Sequence, residues 1–262
     1  MAKFIITGAK GFIGKAVLKE LESRGDYAWQ IHQDGDIWND EIALEAIVKQ
    51  CDGIFHIGAI SDTTEHDSNY MLYWNYTTSK LLFDLACKYG KKVVYSSSAA
   101  VYGNGDGIPN NIYGWSKLLA EEYGLEACKR FVALRYFNVY GPGEEHKDKM
   151  ASVAYQAYKA GEFKLFPGKI LRDFIYINDV VHANIHAMSL ERGVFDVGTG
   201  TAETFESLVE GMEISYTYHT KDKIPNWYQF YTKADNEKFL PGWIPEWNVK
   251  QGTQDYREIL EL

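Results

Sequence analysis

Along the first half of the chain, short apolar runs rich in β-branched residues alternate with longer stretches whose apolar positions recur at helical spacing. The runs KFIIT, AWQIH, GIFHIG, KKVVYSS and FVALRYF predict strands, and the stretches between them predict helices over 12–24, 41–50, 68–89 and 113–128. A helix between two parallel strands must cross a face of their sheet, so this repeated winding predicts an α/β fold with helices on both faces of a parallel sheet. After about residue 141 the regularity fades. KLFPGKILRDFIY and the aromatic-rich PNWYQFYTKADNEKFLPGWIPEW predict a smaller cap, joined to the sheet by DFIYI and GVFDVGTG. The expected division is 1–141 with 174–200 for the sheet, and 142–173 with 201–262 for the cap. No internal repeat or low-complexity segment is present.

Composition narrows the function classes. With 262 residues, 46% hydrophobic and 15% aromatic, the chain can bury a large core. Its formal net charge of −9 and isoelectric point near 5.3 argue against a nucleic-acid or anionic-membrane partner, because both demand a broad basic surface. A strand pattern starting directly after Met1, and the lack of any apolar run of about eighteen residues, lead to the expectation of a soluble cytoplasmic protein. Cys51, Cys87 and Cys128 are odd in number, widely spaced and without a CxxC pair, so they read as buried small hydrophobes rather than as a disulfide framework or metal site.

The first strand runs into TGAKGFIG, which spaces Gly8, Gly11 and Gly14 where a helix should begin. Glycines there let the backbone turn tightly and approach a pyrophosphate, while the helix N-terminus offers N–H groups and a favourable dipole. A merely structural glycine turn shares that spacing, but the position between first strand and first helix favours dinucleotide binding. The acidic residue that would close the second strand and accept the adenine-ribose hydroxyls is missing, since AWQIHQDG places His32 and Gln33 there. Lys10 can reach a 2′-phosphate and a protonated His32 can assist, so NADP is the expected cofactor and NAD the alternative.

Further on, YSSSAAVYG ends the fourth strand, and IYGWSK sets Tyr113 and Lys117 four residues apart on one helix face. A YxxxK pair alone is often ordinary helix surface. After a serine-ended strand and a glycine-rich first turn it defines a site in which Ser98 bonds the reacting oxygen, Tyr113 transfers its proton, and the Lys117 ammonium lowers the phenol's pKa from about 10.

These residues resemble the extended short-chain dehydrogenase/reductases that modify nucleotide sugars, and more closely the ADP-L-glycero-D-manno-heptose 6-epimerases. The resemblance covers almost the whole length and is carried by TGAKGFIG, FHIGAISDTTEHD, YMLYWNY, YSSSAAVYG, YGWSK, RYFNVYGPGEEHKDKMASVAYQ, RDFIYINDV and WYQFYTKAD. It implies a Rossmann-type doubly wound sheet as the dinucleotide-binding domain and a smaller C-terminal substrate-binding cap. It also implies transient oxidation at C6″ of an ADP-heptose, with Tyr113 and Lys147 as bases on opposite faces of the reacting carbon. Phe12, Ile13, Gly58, Ala59, Ser61, Asn75 and Val139 match its cofactor positions, and Asn138, Lys149, Phe166, Gly168, Arg172 and Tyr228 its substrate positions. Arg172 suits bidentate pyrophosphate binding. Members are usually homo-oligomers.

The chain departs from that pattern in being shorter, with most of the segment after the second strand missing and the loop before IYGWSK trimmed to NGDGIPNN. Gln156 replaces a substrate-contacting histidine and Lys149 a small residue. The nearest rival is another nucleotide-sugar epimerase or a ketoreductase of the same fold. A 4,6-dehydratase needs an acidic pair where Ala99 and Ala100 follow Ser98. An inert NADP-binding scaffold or sensor has no use for Ser98, Tyr113, Lys117 and Lys147 together.

Overall fold

In the computed structural model, every residue is described except 34, 106, 147–151, 222–223 and 225–227. The elements of the first part are β1 (Lys3–Thr7), α1 (Phe12–Ser23), β2 (Tyr27–Ile31), α2 (Glu41–Gln50), β3 (Gly53–His56), α3 (Ser68–Leu72), α4 (Thr78–Lys88), β4 (Lys92–Ser98), α5 (Ile112–Ala127) and β5 (Phe131–Tyr136). They are followed by β6 (Asn138–Tyr140), α6 (Val153–Ala160), β7 (Glu162–Leu165), β8 (Leu171–Arg172), β9 (Phe174–Tyr176), α7 (Ile177–Ala187), β10 (Gly193–Val197), β11 (Glu203–Thr204), α8 (Phe205–Gly211), β12 (Ser215–Tyr218) and α9 (Val249–Leu260). Two compact units divide the chain: Met1–Arg135 with Val181–Phe195, and Tyr136–Val180 with Asp196–Leu262.

A six-stranded sheet runs in the order β10-β5-β4-β3-β1-β2. β1 pairs in parallel with β2 on one side and β3 on the other, so the winding direction reverses at the carboxyl end of β1. Open sheets of this kind bind ligands at that reversal. The register sets Thr7 opposite His56 and His56 opposite Tyr95 in one row across three strands. Ile5, Ile54, Val93 and Ala133 fill the sheet's core with Leu82, Phe83 and Phe131, as apolar runs buried on both faces should.

The helix expected over 68–89 is not one regular helix: between α3 and α4, residues Tyr73–Thr77 form a π-helical turn that holds the buried Asn75. Cys51 and Cys128 are buried, but Cys87 is exposed, contrary to expectation; its thiol lies 2.7 Å from the Ala127 carbonyl oxygen, so a polar contact and not packing holds it.

Among the described residues of the second unit, β6 pairs with β9 and β7 with β12 in parallel, and β8 pairs with β11 antiparallel. Buried carboxylates do much of the joining. Asp173 accepts from Thr199 N (2.6 Å), Thr199 Oγ1 (2.8 Å), Gly200 N (2.8 Å) and Ala234 N (3.0 Å). Asp179 accepts from the backbone N–H groups of Glu246 and Trp247, both at 3.0 Å. Four donors satisfy a buried carboxylate that would otherwise be costly. Among the described residues no helix is long and apolar enough to cross a membrane.

Candidate active site

The glycine turn after β1 is built for close approach. Gly8 adopts φ +70°, and a Cβ on it would stand 2.6 Å from Gly58 Cα, so the loops following β1 and β3 touch through bare backbone. A Cβ on Gly14 would run into the Gly8 carbonyl oxygen. Gly11 caps α1 without a side-chain hydrogen bond, ahead of the dipole-bearing first turn that holds Phe12 and Ile13. This cradle fits a dinucleotide pyrophosphate, which needs backbone close at hand and a helix N-terminus to face. Ala59 and Ser61 continue the loop beyond Gly58, whose N–H donates to Thr7 Oγ1 at 2.8 Å.

At the carboxyl end of β2, His32 gives its carbonyl to the Trp38 indole N–H (2.9 Å), and the Gln33 amide donates to Tyr70 Oη (2.9 Å). Lys10 is exposed on the glycine loop.

β4 delivers Ser98 at its last position, where Ser98 Oγ caps the following 3-10 turn by accepting from Ala100 N at 3.2 Å. Asn111 caps α5 by accepting from Gly114 N (2.8 Å), which starts the helix one residue before Tyr113. The Tyr113 phenol then meets Ser98 in a hydrogen bond. Burial raises this phenol above its ordinary value of 10.0, and the Ser98 hydrogen bond pulls it back. Lys117, one turn along and buried, donates from Nζ to the Ser96 carbonyl at 2.8 Å and lies 5.0 Å from the Tyr95 ring centre. Its ammonium is pushed down to about 7 by burial. The bond to the Ser96 carbonyl occupies one of the three ammonium hydrogens. Deeper on the same face of α5, Glu121 receives Ser97 Oγ and both ends of the Arg135 guanidinium, fixing the helix against β4 and β5.

Asn75, expected among the cofactor contacts, uses its amide inside the protein: Oδ1 accepts from Ile60 N (2.7 Å), and Nδ2 donates to Ile60 O (2.9 Å) and Ser116 Oγ (3.0 Å).

In the second unit, Arg172 is buried, with Nη1 on the Leu171 carbonyl (3.0 Å), Nη2 on the Gln229 carbonyl, and its guanidinium 5.3 Å from the Tyr228 ring centre. Phe166 meets Tyr228 edge to face at 5.4 Å. Three expected substrate residues are thus clustered. Gly168, at φ +107°, has open space where a side chain would be, and Asn138 and Val139 lie on β6, the Asn138 N–H donating to the Asp173 carbonyl at 2.9 Å. Gln156 sits on α6, its amide nitrogen 3.5 Å from Ser152 Oγ. Lys147 and Lys149 lie outside the described residues.

Sequence reasoning passed over Thr7, His56, Ser79 and Ser116. The available signal was His56, a polar residue closing an otherwise apolar strand.

A parallel sheet reversing at β1, a glycine cradle there, and a serine and tyrosine bonded at the end of β4 define a Rossmann-type protein of the short-chain dehydrogenase/reductase kind. The chain belongs to the NAD dependent epimerase/dehydratase family, which its residues 4–198 match. It is 34% identical to the ADP-L-glycero-D-manno-heptose-6-epimerase of Brachyspira hyodysenteriae over 98% of this chain and 97% of that one. That alignment spans 309 positions against 262 residues here, so the relative carries segments this chain lacks. The solved ADP-L-glycero-D-manno-heptose-6-epimerase of Helicobacter pylori matches with a TM-score of 0.85 at 28% identity, over 99% of this chain and 96% of that one. MoeE5, solved in complex with UDP-glucose and NAD, matches with a TM-score of 0.83 at 25% identity, over 99% and 98% of the two chains.

Proposed function

We propose that this protein is an ADP-glycero-manno-heptose 6-epimerase that works by transient oxidation at C6″ with NADP. The Ser98–Tyr113 hydrogen bond beside the glycine cradle carries the reading, in a chain 34% identical to a 6-epimerase over nearly all its length. A bound nicotinamide dinucleotide supplies a hydride acceptor that later returns the same hydride, so the sum is an isomerisation. The glycine turn, Phe12, Ile13 and the 58–61 loop would hold it.

Ser98 orients the C6″ hydroxyl, and Tyr113 takes its proton as the carbon becomes a ketone. Hydride returning to the other face leaves an oxygen that must be reprotonated, and Lys147 is assigned as the acid–base group on that side, donating the proton here and removing it in the reverse direction. Arg172, Tyr228 and Phe166 would hold the nucleotide diphosphate and sugar in the second unit, with Asn138, Gly168 and Lys149. A neutral and basic set, His32, Gln33 and Lys10, in place of a ribose-binding carboxylate supports NADP. Cytoplasmic location and a homo-oligomeric state belong to the same proposal. The likeness to MoeE5, a protein in complex with UDP-glucose and NAD, favours a second reading in which another nucleotide sugar is epimerised.

Incubation with ADP-, UDP- and GDP-sugars, with product stereochemistry followed by NMR, separates the two. Interconversion of the C6″ epimers of the ADP-heptose alone is the expected result, and preferential turnover of a UDP-sugar installs the second reading. Lys147→Met should depress kcat with little change in KM. A raised KM at unchanged kcat reduces Lys147 to an anchor for the anionic substrate.

A further inference from the structure

Thr7, His56 and Ser79 form a buried chain of hydrogen bonds in which every proton can be placed. Ser79 Oγ lies 2.7 Å from the Asn75 carbonyl and 2.7 Å from His56 Nε2. A carbonyl only accepts, so the single serine proton goes to Asn75 and the imidazole must carry hydrogen on Nε2. His56 Nδ1 is then bare and accepts from Thr7 Oγ1 at 2.9 Å. With its own proton used, Thr7 Oγ1 accepts from Gly58 N at 2.8 Å. A backbone N–H at one end and a backbone carbonyl at the other fix the direction of the whole chain.

Both ends lead to the site. Gly58 is the residue whose backbone meets Gly8 in the phosphate cradle. Asn75 clamps the Ile60 peptide and donates to Ser116 Oγ, which in turn donates to the Tyr113 carbonyl at 2.7 Å. We propose that His56 is a positioning residue for the reaction inferred above: as a neutral imidazole protonated at Nε2, it fixes the cofactor-side loop after β3 relative to the π-helical turn that anchors the catalytic helix α5. This rests on the nucleotide-sugar reading for its purpose, though not for its geometry. A second proton on the ring would turn Nδ1 into a donor and take away the acceptor of the Thr7 hydroxyl proton.

The surroundings enforce the neutral form. His56 is 1% exposed, stacked on Tyr95 at 5.7 Å and met edge-on by Phe83 at 5.5 Å. Burial, helped by the Lys117 charge, pushes the ring down to about 3.

The test uses the whole chain, with NADP as the probe and no sugar, so that it stands apart from the epimerase assay. Nitrogen-15 NMR of the wild-type protein should show His56 protonated at Nε2 alone, unchanged between about pH 8 and pH 5. Calorimetry should show His56→Phe, which keeps a ring but loses both bonds, binding NADP weaker by about tenfold or more. His56→Gln, which offers one donor and one acceptor, should recover most of that loss. Should His56→Phe not fold, Thr7→Val and Ser79→Ala each cut one link and should each weaken NADP binding. An Nδ1-protonated or charged ring in the wild type, or a folded His56→Phe or pair of link variants with wild-type affinity, overturns the proposal. Absence of turnover with every sugar nucleotide, with these results intact, overturns the epimerase reading instead.

Discussion

Tyr113 and Lys117, one turn apart on α5, stand in different surroundings. The phenol is raised by burial and relieved by Ser98, while the lysine is held on the Ser96 carbonyl and lowered to about 7. On the proposed mechanism, Tyr113→Phe should cut turnover by about two to four orders of magnitude, the usual scale for a positioned acid–base group. Thermal melting should be little changed, and near-normal turnover in a folded variant removes Tyr113 from the mechanism. At the other end of the cofactor, Lys10→Ala should weaken NADP binding more than NAD binding in calorimetric titration. Equal losses leave Lys10 no role at a 2′-phosphate.

Among the elements, α5 carries Tyr113 and Lys117, and a buried ion pair anchors it. Glu121 is fully buried beneath Ser97 and the Arg135 guanidinium, which also lies 4.7 Å from the Tyr102 ring centre. Removing one partner strands a buried charge, so Arg135→Leu should cost about 3–5 kcal/mol in denaturant unfolding, whereas a surface pair is worth about 1 kcal/mol at most. A loss at the surface-pair level contradicts the anchoring role. The elements up to β5 were legible because strands buried on both faces read as apolar runs, and Asp40 and Asn111 mark helix starts as caps. The π-helical turn was not, since one widened turn leaves the apolar spacing of 68–89 almost intact. The short strands of the second unit carry too few residues for a period and depend on Asp173 and Asp179, partners remote in sequence. Ser98, Tyr113 and the glycine turn were legible as local motifs. The Thr7–His56 bond joins residues 49 apart and exists only through sheet register.

The stability of the whole molecule carries the imprint of the site through its buried titratable groups. Lys117 has an ordinary value of 10.5 but titrates at about 7 when folded, and Lys92, held on the Leu190 and Glu191 carbonyls, at about 8. Between those values and 10.5 the unfolded chain binds protons that the folded chain does not, so the lysines' contribution to stability rises with pH across that window. Tyr140, Tyr176 and Tyr256 act oppositely: burial raises their phenols, the folded chain keeps protons the unfolded one releases, and stability falls once pH passes their ordinary 10.0. On the acid side His56, ordinarily 6.5 and about 3 when folded, withdraws stability as pH drops through that interval. The thermal midpoint should thus climb from about pH 7 towards pH 9, level off as the buried Cys51 and Cys128 thiols, raised above their ordinary 9.0, keep protons the unfolded chain releases, and decline beyond pH 10. Lys117→Met keeps the stem and deletes the charge that burial penalises. At pH 7 it should melt higher, by about 2–4 °C for each kcal/mol relieved, while, on the proposed mechanism, losing turnover. Its midpoint should also climb less steeply between about pH 7 and pH 9 than that of the wild type, since one of the two lysines that make the slope is gone. Calorimetric scans across that range decide the matter: a variant that melts lower at pH 7 and keeps the full wild-type slope shows that Lys117 is charged and stabilising in the folded chain, and the account of its burial is wrong.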